Sequence, residues 1–432
     1  MSGKAALDKN ALPPPAAWPA LTVAVSEVPV PLVTDPGDAV IRVTSTAICG
    51  SDLHLYEHAM PGMKPGDVLG HEFMGVVEEV GSDVKKVQPG DRVVVAFDIA
   101  CGACFFCKKQ PYSSCAASNP SHVQEAVYGQ ASGGFFGYSH LTGGWQGGQA
   151  EYVRVPVGEC DFVRTCVFVG RAADVNVLKV PRELEDEQVV LLSDILPTAW
   201  HACELDRGVG ILAAHCALHR GARRVILIDA VQYRLDFAAA RPELRGVEVL
   251  NRNDKSPLDA LKELCKDEPG GAPDVVVDAV GMHYATSLLH KVQVSLQLET
   301  DTPEIVNECV RAVRKGGRVA VVGAYAGFVN AFQLGAFMEK QLTIRGGQTP
   351  VQARKYWHTL LDKIQSKALN PGMVITHLLP LEEVAKGYDI FNSKRPADGC
   401  VKVVLKTAAA AGAAAGAAGA SAGVGPVAVE AK

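Results

Sequence analysis

Four cysteines lie close together in the run "CGACFFCKKQPYSSC", and this run constrains the fold more than any other feature of the chain. They are Cys101, Cys104, Cys107 and Cys115, with the spacing C-x2-C-x2-C-x7-C. Four thiolates at this spacing can complete a tetrahedral zinc shell with Zn–S bonds of about 2.3 Å. Such a shell has no open coordination position, so we expect a structural zinc that folds a loop. The alternative, four free thiols in a glycine-rich loop, is disfavoured by the spacing.

A second set of metal-ligand residue types precedes this run. The segments "CGSDLH" at Cys49–His54 and "GHE" at Gly70–Glu72 bring a thiolate, imidazoles and carboxylates. These donors suit a second, more open zinc site. Each residue alone also has an ordinary interpretation, since a single buried cysteine usually acts as a small apolar residue. The two sets together predict a zinc enzyme.

Length and composition exclude several classes of protein. The chain has 432 residues, of which 48% are hydrophobic and 21% charged, so two or three globular domains are expected. A net charge of −5 gives no reason to expect nucleic-acid or membrane partners. Residues 1–20 lack the apolar core of a signal peptide, and twelve cysteines without such a signal favour metal over disulfides. We expect a cytoplasmic protein, with organelle import left open.

The pattern of strands and helices changes along the chain. Residues 21–100 alternate short Val/Ile-rich segments with Gly, Pro and Asp, which predicts a small β-barrel or sandwich. From residue 221 buried-type strands alternate with helical stretches, which predicts a parallel, doubly wound sheet. The segment "GCVKVVLK" (399–406) is again of the first type, so the nucleotide-type domain is predicted to be inserted in the β domain. Residues 407–432 are rich in Ala and Gly, and we predict a disordered tail.

Together these motifs resemble the zinc-containing medium-chain alcohol dehydrogenases, in particular the glutathione-independent formaldehyde dehydrogenase or aldehyde dismutase-like branch. The matching pieces are "TSTAICGSDLHLY", "GHEFMGVVEEVG", "PGDRVVV", the four-cysteine run, "GGQAEYVRVP", "LSDILPTAWHA" and "GGQTPVQ". The resemblance implies an α/β plus β fold, with a GroES-like β-barrel catalytic domain and an inserted Rossmann sheet. It also implies NAD, two zincs per subunit and a homo-oligomer. The implied parts are a catalytic domain (21–190, with a structural-zinc lobe at 98–118), a Rossmann domain (191–348), a return to the catalytic domain (349–406) and the tail (407–432).

The resemblance assigns the catalytic zinc to Cys49, His71 and Asp194, the last being the aspartate of "SDILPT". Outside this family, "SD" before an apolar run is more often a helix cap. A fourth position stays open for water or a substrate oxygen. Asp52 is implied to orient His71 through its other ring nitrogen, and Glu72 to coordinate the metal transiently.

The family's proton relay matches Ser51 and His54, which would pass the hydroxyl proton to solvent through the cofactor ribose. An imidazole is suited to proton transfer near neutral pH. Cofactor positions that the resemblance implies are Gly50, Ser51, His54, Val209, Gly210, Asp229, Arg234, Val280, Val322, Ala324, Gly347 and Thr349. Asp229 follows Gly210 at the spacing expected of a ribose-binding acid and would repel the 2′-phosphate of NADP, which favours NAD. The ordinary alternative for the valines is packing in core strands.

The expected start of the Rossmann domain departs from the family pattern. Gly210 fits the third glycine of the G-x-G-x-x-G turn, but the first strand and the first two glycines are missing, and Gly208 leaves only a truncated G-x-G. One interpretation is a gene-model or splicing artefact; the other is a rebuilt or inactive fold. The stretch 158–172, "GECDFVRTCVFVGRA", interrupts a continuous family segment and resembles retained non-coding sequence, which favours the first interpretation; an extra strand is the second choice.

We therefore predict a zinc oxidoreductase that transfers a hydride between NAD and a small alcohol or aldehyde, either as a dehydrogenase or as a dismutase. A non-catalytic zinc protein that has lost NAD is one alternative. An NADP-linked zinc reductase is another, against which Asp229 argues. The remaining cysteines and several histidines are interpreted as packing or surface residues: Cys160, Cys166, Cys203, Cys216, Cys265, Cys309, Cys400, His58, His201, His215 and His219.

Overall fold

The computed structural model describes residues 23–57, 62–156, 172–206, 210–280, 300–323, 325, 327–347, 353–410 and 426–431. The first part of the chain is rich in β structure. Its strands are β1 (Val23–Glu27), β2 (Ala39–Ile48), β3 (Glu72–Val80), β4 (Arg92–Val95), β5 (Asp98–Ile99), β6 (Gly134–Phe135), β7 (Tyr152–Val155) and β8 (Val177–Lys179). Its helices are α1 (Gly50–Tyr56), α2 (Phe105–Lys109), α3 (His122–Tyr128), α4 (Ala172–Asn176) and α5 (Asp186–Val189).

Helices and strands then alternate. They run α6 (Ile195–Asp206), α7 (Gly210–His219), β9 (Val225–Asp229), α8 (Gln232–Ala239), β10 (Val247–Asn251), α9 (Pro257–Leu264), β11 (Val275–Asp278), α10 (Glu304–Ala312), β12 (Arg318–Val321), α11 (Leu334–Glu339) and β13 (Thr343–Gly346). The last part contains α12 (Ala353–Gln365), β14 (His377–Pro380), α13 (Val384–Ser393), β15 (Val403–Lys406) and β16 (Val427–Ala431).

The β-rich part is built around strand β2. The main sheet has the order β14-β15-β2-β3-β4-β8, and β7 also pairs with β2. Of the ten residues of β2 all but Arg42 are buried, because the strand is covered on both faces. One face packs against Phe73 and Val77, and the other packs toward α13. The predicted β domain is confirmed, although in the described residues its sheets do not close into a barrel.

The inserted doubly wound domain is also confirmed. Its strands are parallel, and they form one sheet of order β10-β9 and another of order β11-β12-β13. The chain then returns to the first domain, where β15 pairs with β2. The helix predicted after the glycine turn is α7, which begins at Gly210 and packs on β9.

The first Rossmann strand would lie between β9 and β11. Among the described residues no strand joins the two parallel sheets, which is the arrangement that a missing first strand implies. Residues 207–209 and 281–299 lie outside the described part of the chain, so the loss of this strand stays a prediction.

The prediction of a disordered tail over 407–432 is wrong at its end. Val427–Ala431 form strand β16, which pairs antiparallel with β1. The cause is the alternation of valine with small or polar residues in "PVAVEA", a strand pattern that the preceding Ala/Gly-rich run obscured.

Several predictions fall on residues outside the described ranges. They concern most of the stretch 158–172, of which only Ala172 is described, and His58, Cys160, Cys166, Gly208, Val209, Ala324 and Thr349. Of the other cysteines taken as packing residues, Cys203, Cys216, Cys265, Cys309 and Cys400 are buried. Within the described ranges, no helix has both the length and the apolar character needed to cross a bilayer.

Candidate active site

Cys49 is positioned by the junction between β2 and α1. It caps the N-terminus of α1 in an extended conformation, and its backbone N–H donates to Oδ2 of Asp52 at 2.9 Å. The Asp52 side chain thereby fixes the first turn and is itself fully buried. The capping residue of a short helix thus presents its thiol at the end of a buried strand.

His71 lies just before β3 and is fully buried. The preceding residue, Gly70, has a φ of +93°, and a Cβ at this position would lie 2.4 Å from Cγ of Gln149. Only glycine therefore allows the chain to pass so close to Gln149 before it turns into the strand. The ring of His71 packs against Phe97 and Tyr138, with centroid distances of 5.0 and 5.1 Å.

The structure brings four metal-ligand side chains to one point. One ligand atom from each of Cys49, His71, Glu72 and Asp194 lies within 4.8 Å of all the others. Nε2 of His71 is 3.4 Å from Oδ2 of Asp194, and Nδ1 is 3.0 Å from Oδ1 of Asp52. Neither ring nitrogen makes an aligned hydrogen bond, although both are buried.

A buried polar atom without a hydrogen bond is costly unless another partner satisfies it. Sulfur, imidazole nitrogen and carboxylate oxygen are the donor types of catalytic zinc sites. The set Cys49, His71 and Asp194, with Glu72 beside it, therefore fits a zinc ion, and Asp52 lies where a residue that orients His71 would be.

The electrostatics of this set also favour a cation. Burial by itself lowers the pKa of His71, but the charges of Asp52 and Cys49 raise it well above its ordinary value. For Asp194, burial raises the pKa, but the nearby charged imidazole of His71 and a hydrogen bond from Thr198 outweigh it, and the pKa is lowered. Several negative groups thus converge on one imidazole.

Two supporting residues were missed by the sequence reasoning. Nζ of Lys402 lies 2.6 Å from Oε2 of Glu72, and their side chains are 5% and 0% exposed. Nothing local to Lys402 signals this pair, because its partner is far away in the chain. The Thr198 hydroxyl donates to Oδ1 of Asp194 at 2.6 Å. That contact had a signal, since residues four apart on a helix face each other.

The relay residues predicted on α1 lie next to the metal-ligand set. The Ser51 hydroxyl donates to Sγ of Cys49 at 3.2 Å, and Ser51 lies near the phenol of Tyr138. His54 lies one turn further along the same helix. Space beside Gly50 is open, because a Cβ built there would meet no atom within 4 Å.

The four cysteines of the run form a second, separate set. Their sulfurs all lie within 4.8 Å of one another, and Sγ of Cys101 is 4.0 Å from Sγ of Cys107. A regular tetrahedron with Zn–S bonds of about 2.3 Å has S–S edges of about 3.8 Å. Backbone N–H groups of Ala103 and Cys104 donate to the Cys101 sulfur, and that of Cys101 donates to Cys115. The residues present therefore fit a structural zinc.

A buried arginine connects this lobe to the last part of the chain. Arg354, at the start of α12, lies 2.6 Å from the Asp98 carboxylate and donates to Oδ1 of Asn176 at 2.5 Å. Its guanidinium stacks over the ring of Tyr112 at 4.9 Å. The Asn176 side chain in turn bonds the backbone of Ala100, next to the first cysteine.

Four of the predicted cofactor residues that the structure describes lie at the carboxyl ends of parallel strands, where open α/β sheets bind ligands. Asp229 ends β9, and its carboxylate accepts the backbone N–H of Val231 at 2.9 Å. Val280, Val322 and Gly347 follow β11, β12 and β13.

These residues divide between the two parallel sheets. Asp229 and Arg234 belong to the two-stranded sheet and its helix α8, and the other three to the three-stranded sheet. The phenol of Tyr233 on α8 donates to the carbonyl of Cys400 at 2.9 Å. This hydrogen bond joins α8 to the segment that carries Lys402.

Comparisons with known proteins agree with this arrangement. Residues 35–163 match the model of the alcohol dehydrogenase GroES-like domain. An uncharacterized zinc-type alcohol dehydrogenase-like protein of Bacillus subtilis is 41% identical over 400 residues, covering 89% of this chain and 97% of the relative. A glutathione-independent formaldehyde dehydrogenase of Pseudomonas aeruginosa is 32% identical, covering 87% and 93%. Among solved structures, the alcohol dehydrogenase TADH from Thermus sp. ATN1 has a TM-score of 0.68 and 34% identity, covering 89% of this chain and 96% of that one.

A β-rich domain with an inserted doubly wound sheet and two metal-ligand sets defines a zinc oxidoreductase. The chain belongs to the zinc-type medium-chain alcohol dehydrogenase family.

Proposed function

We propose that this chain catalyses hydride transfer between NAD and a small alcohol or aldehyde at a zinc held by Cys49, His71 and Asp194. The observation that carries the proposal is the convergence of these three residues and Glu72 within 4.8 Å in a buried, negatively charged position. We further propose that the four-cysteine lobe holds the second zinc, and that the enzyme is a cytoplasmic homo-oligomer.

A bound zinc ion supplies Lewis acidity to the oxygen of the substrate, and the nicotinamide carries the hydride. The protein's own residues do the rest. Asp52 and Thr198 hold His71 and Asp194 in orientation. Ser51, beside Cys49, would accept the hydroxyl proton of an alcohol and give up its own hydroxyl proton, which His54 would pass toward solvent.

The surroundings of the site support a small substrate. The rings of Phe97, Phe135 and Tyr138 pack on one another beside His71, with centroid distances of 4.5 Å for the first pair and 5.7 Å for the second. Such an aromatic wall excludes water from that side of His71. The similarity to a formaldehyde dehydrogenase supports formaldehyde or a short aldehyde as the substrate. The carboxylate of Asp229 at the end of β9 supports NAD over NADP.

The test combines metal analysis with cofactor titration and turnover. We expect two zincs per chain, an NADH fluorescence change on binding, and reduction of NAD with small alcohols or formaldehyde. Asp194→Asn should lose turnover while the four-cysteine zinc stays bound. A chain that holds zinc but neither binds NADH nor reduces NAD would overturn the proposal.

One observation favours a second candidate, a zinc protein without cofactor binding. The parallel strands of the described residues form two sheets, and NAD would bind across their junction. NADH titration decides between the two candidates. The matched control is a chain that carries the predicted first Rossmann strand, taken from the transcript. If this chain binds NADH and the present chain does not, the second candidate is correct.

A further inference from the structure

The C-terminal strand β16 is bound as a central strand. One of its edges pairs antiparallel with β1. On the other edge, Val429 donates its N–H to the carbonyl of Gln149 at 2.8 Å, and its own carbonyl accepts from Leu69 at 3.2 Å. The carbonyl of Val427 accepts from Glu151 at 2.9 Å. Both edges of the strand are therefore hydrogen bonded, unlike those of a loose terminal segment.

Both faces of this strand are covered as well. Ala428 and Val429 are adjacent, so their side chains point to opposite faces of the sheet, yet both are 0% exposed. Val429 belongs to the core cluster that contains Leu69, and Ala428 packs with Val68 and Ala150. Removal of β16 would expose apolar surface on both sides and leave two unpaired strand edges.

The two segments that β16 joins lead directly to the metal-ligand set. Leu69 is two residues before His71, and its carbonyl accepts the N–H of Gln149 at 2.9 Å. The side-chain amide of Gln149 lies 3.5 Å from Oδ2 of Asp52, whose other oxygen is 3.0 Å from the His71 ring. A short series of contacts thus runs from Val429 through Leu69 and Gln149 to His71.

From this geometry we infer that the groove between β1 and the segments 68–69 and 149–151 is a strand-binding site whose ligand is the chain's own segment 426–431. Its ligand is an extended, apolar peptide held by main-chain hydrogen bonds on both edges. When bound, this strand positions His71. The positioning half of the inference rests on the proposed catalytic zinc, whereas the peptide-binding half does not.

A chain that ends at Gly425 tests the strand-binding site. A labelled synthetic peptide with the sequence of residues 425–432, GPVAVEAK, should bind this truncated chain, as measured by fluorescence anisotropy. It should not bind the full chain, whose own strand fills the groove. If truncation prevents folding, the peptide should restore the melting transition during refolding. Peptide binding to neither chain, or to both equally, overturns the inference, as does failure of the peptide to rescue an unfolded truncated chain.

A point variant in the full chain tests the positioning of His71. Val429→Pro removes the N–H that donates to Gln149, whereas the control Val429→Ala keeps this donor and loses only side-chain volume. Outer-shell contacts change metal affinity by about 10–100-fold, so Val429→Pro should release the Cys49-site zinc to a chelator roughly ten-fold faster than Val429→Ala. Release of the four-cysteine zinc should not change.

Equal rates in the two Val429 variants overturn the positioning role. Absence of zinc from the Cys49 site of the full chain would instead refute the proposed function. In that case peptide binding to the truncated chain would still test the strand-binding site, because it does not depend on zinc.

Discussion

The two metal-ligand sets differ in how far apart in the chain their members lie. The four-cysteine set comes from one run of the chain, and its sulfurs are held by backbone N–H groups of the same run. The Cys49 set combines the end of β2, the start of β3 and the residue before α6. A buried ion pair with Lys402, from a distant segment, supports it. The first set therefore folds locally, whereas the second exists only when the whole domain is assembled.

The largest expected effect is on the local set. Cys107→Ser should remove the proposed structural zinc and, with it, the order of the lobe, because structural zinc sites contribute on the order of 10 kcal/mol of binding free energy to folding. Hydrogen exchange across residues 98–118 should lose its protection while β9–β13 keep theirs. Protection that persists in the lobe would mean that the cysteines, and Arg354, hold it without metal.

A cysteine-to-serine substitution in the Cys49 set should impair catalysis and leave the order of the fold intact. Cys49→Ser should remove the proposed catalytic zinc and lower kcat/KM by roughly 10³-fold, since Lewis-acid catalysis contributes several kcal/mol. The melting temperature should change little, because the hydrophobic core stabilises this domain more than the metal does. A large drop in melting temperature would show that the fold depends on metal at the Cys49 set as well, and would contradict the contrast between the two sets.

Lys402→Met tests the distant support of the Cys49 set. It leaves the buried carboxylate of Glu72 without its cation, and breaking such a pair costs about 3 kcal/mol. Denaturant unfolding at neutral pH measures the loss. The double variant with Glu72→Gln should recover most of it, and failure to recover would indicate that Lys402 acts by packing alone.

The smallest effect concerns Asp186, which anchors α5 ahead of Asp194. Burial raises the pKa of Asp186, but a hydrogen bond from Ser45, the charge of Lys406 and a hydrogen bond from Arg92 outweigh it and lower the pKa. A lowered folded-state pKa stabilises the fold above the unfolded-state pKa, and this contribution is lost as pH falls through the folded-state value. Asp186→Asn should therefore cost about 1 kcal/mol at neutral pH. The difference between variant and parent should disappear in acid, and a constant difference across pH would contradict it.

The contrast between the two sets also explains how much the sequence could predict. The four-cysteine set needed only spacing, because its geometry is local. The convergence of Cys49, His71 and Asp194 followed from the order of family motifs, since no local pattern places a residue before α6 beside one before β3. Lys402 could not be found in this way, because its partner is set by the register of β15 on β2.

The fold classes were predictable for a similar reason. Alternation of strands with helices identified the inserted domain, and Val/Ile-rich segments identified the β domain. The pairing of β16 with β1 was missed, because a strand of five residues after a long Ala/Gly run acquires its partners only from segments far away in the sequence.

The pairing of β1 with β16 joins Val23 to Ala431, the first and last described residues of the chain. During synthesis β16 follows every other described element, so its pairing with β1 forms only after the rest of the described chain has been made. The inserted domain, whose strands pair with near neighbours in the sequence, can fold earlier. A nascent chain stalled before residue 427 would therefore expose an unfilled strand edge to other proteins.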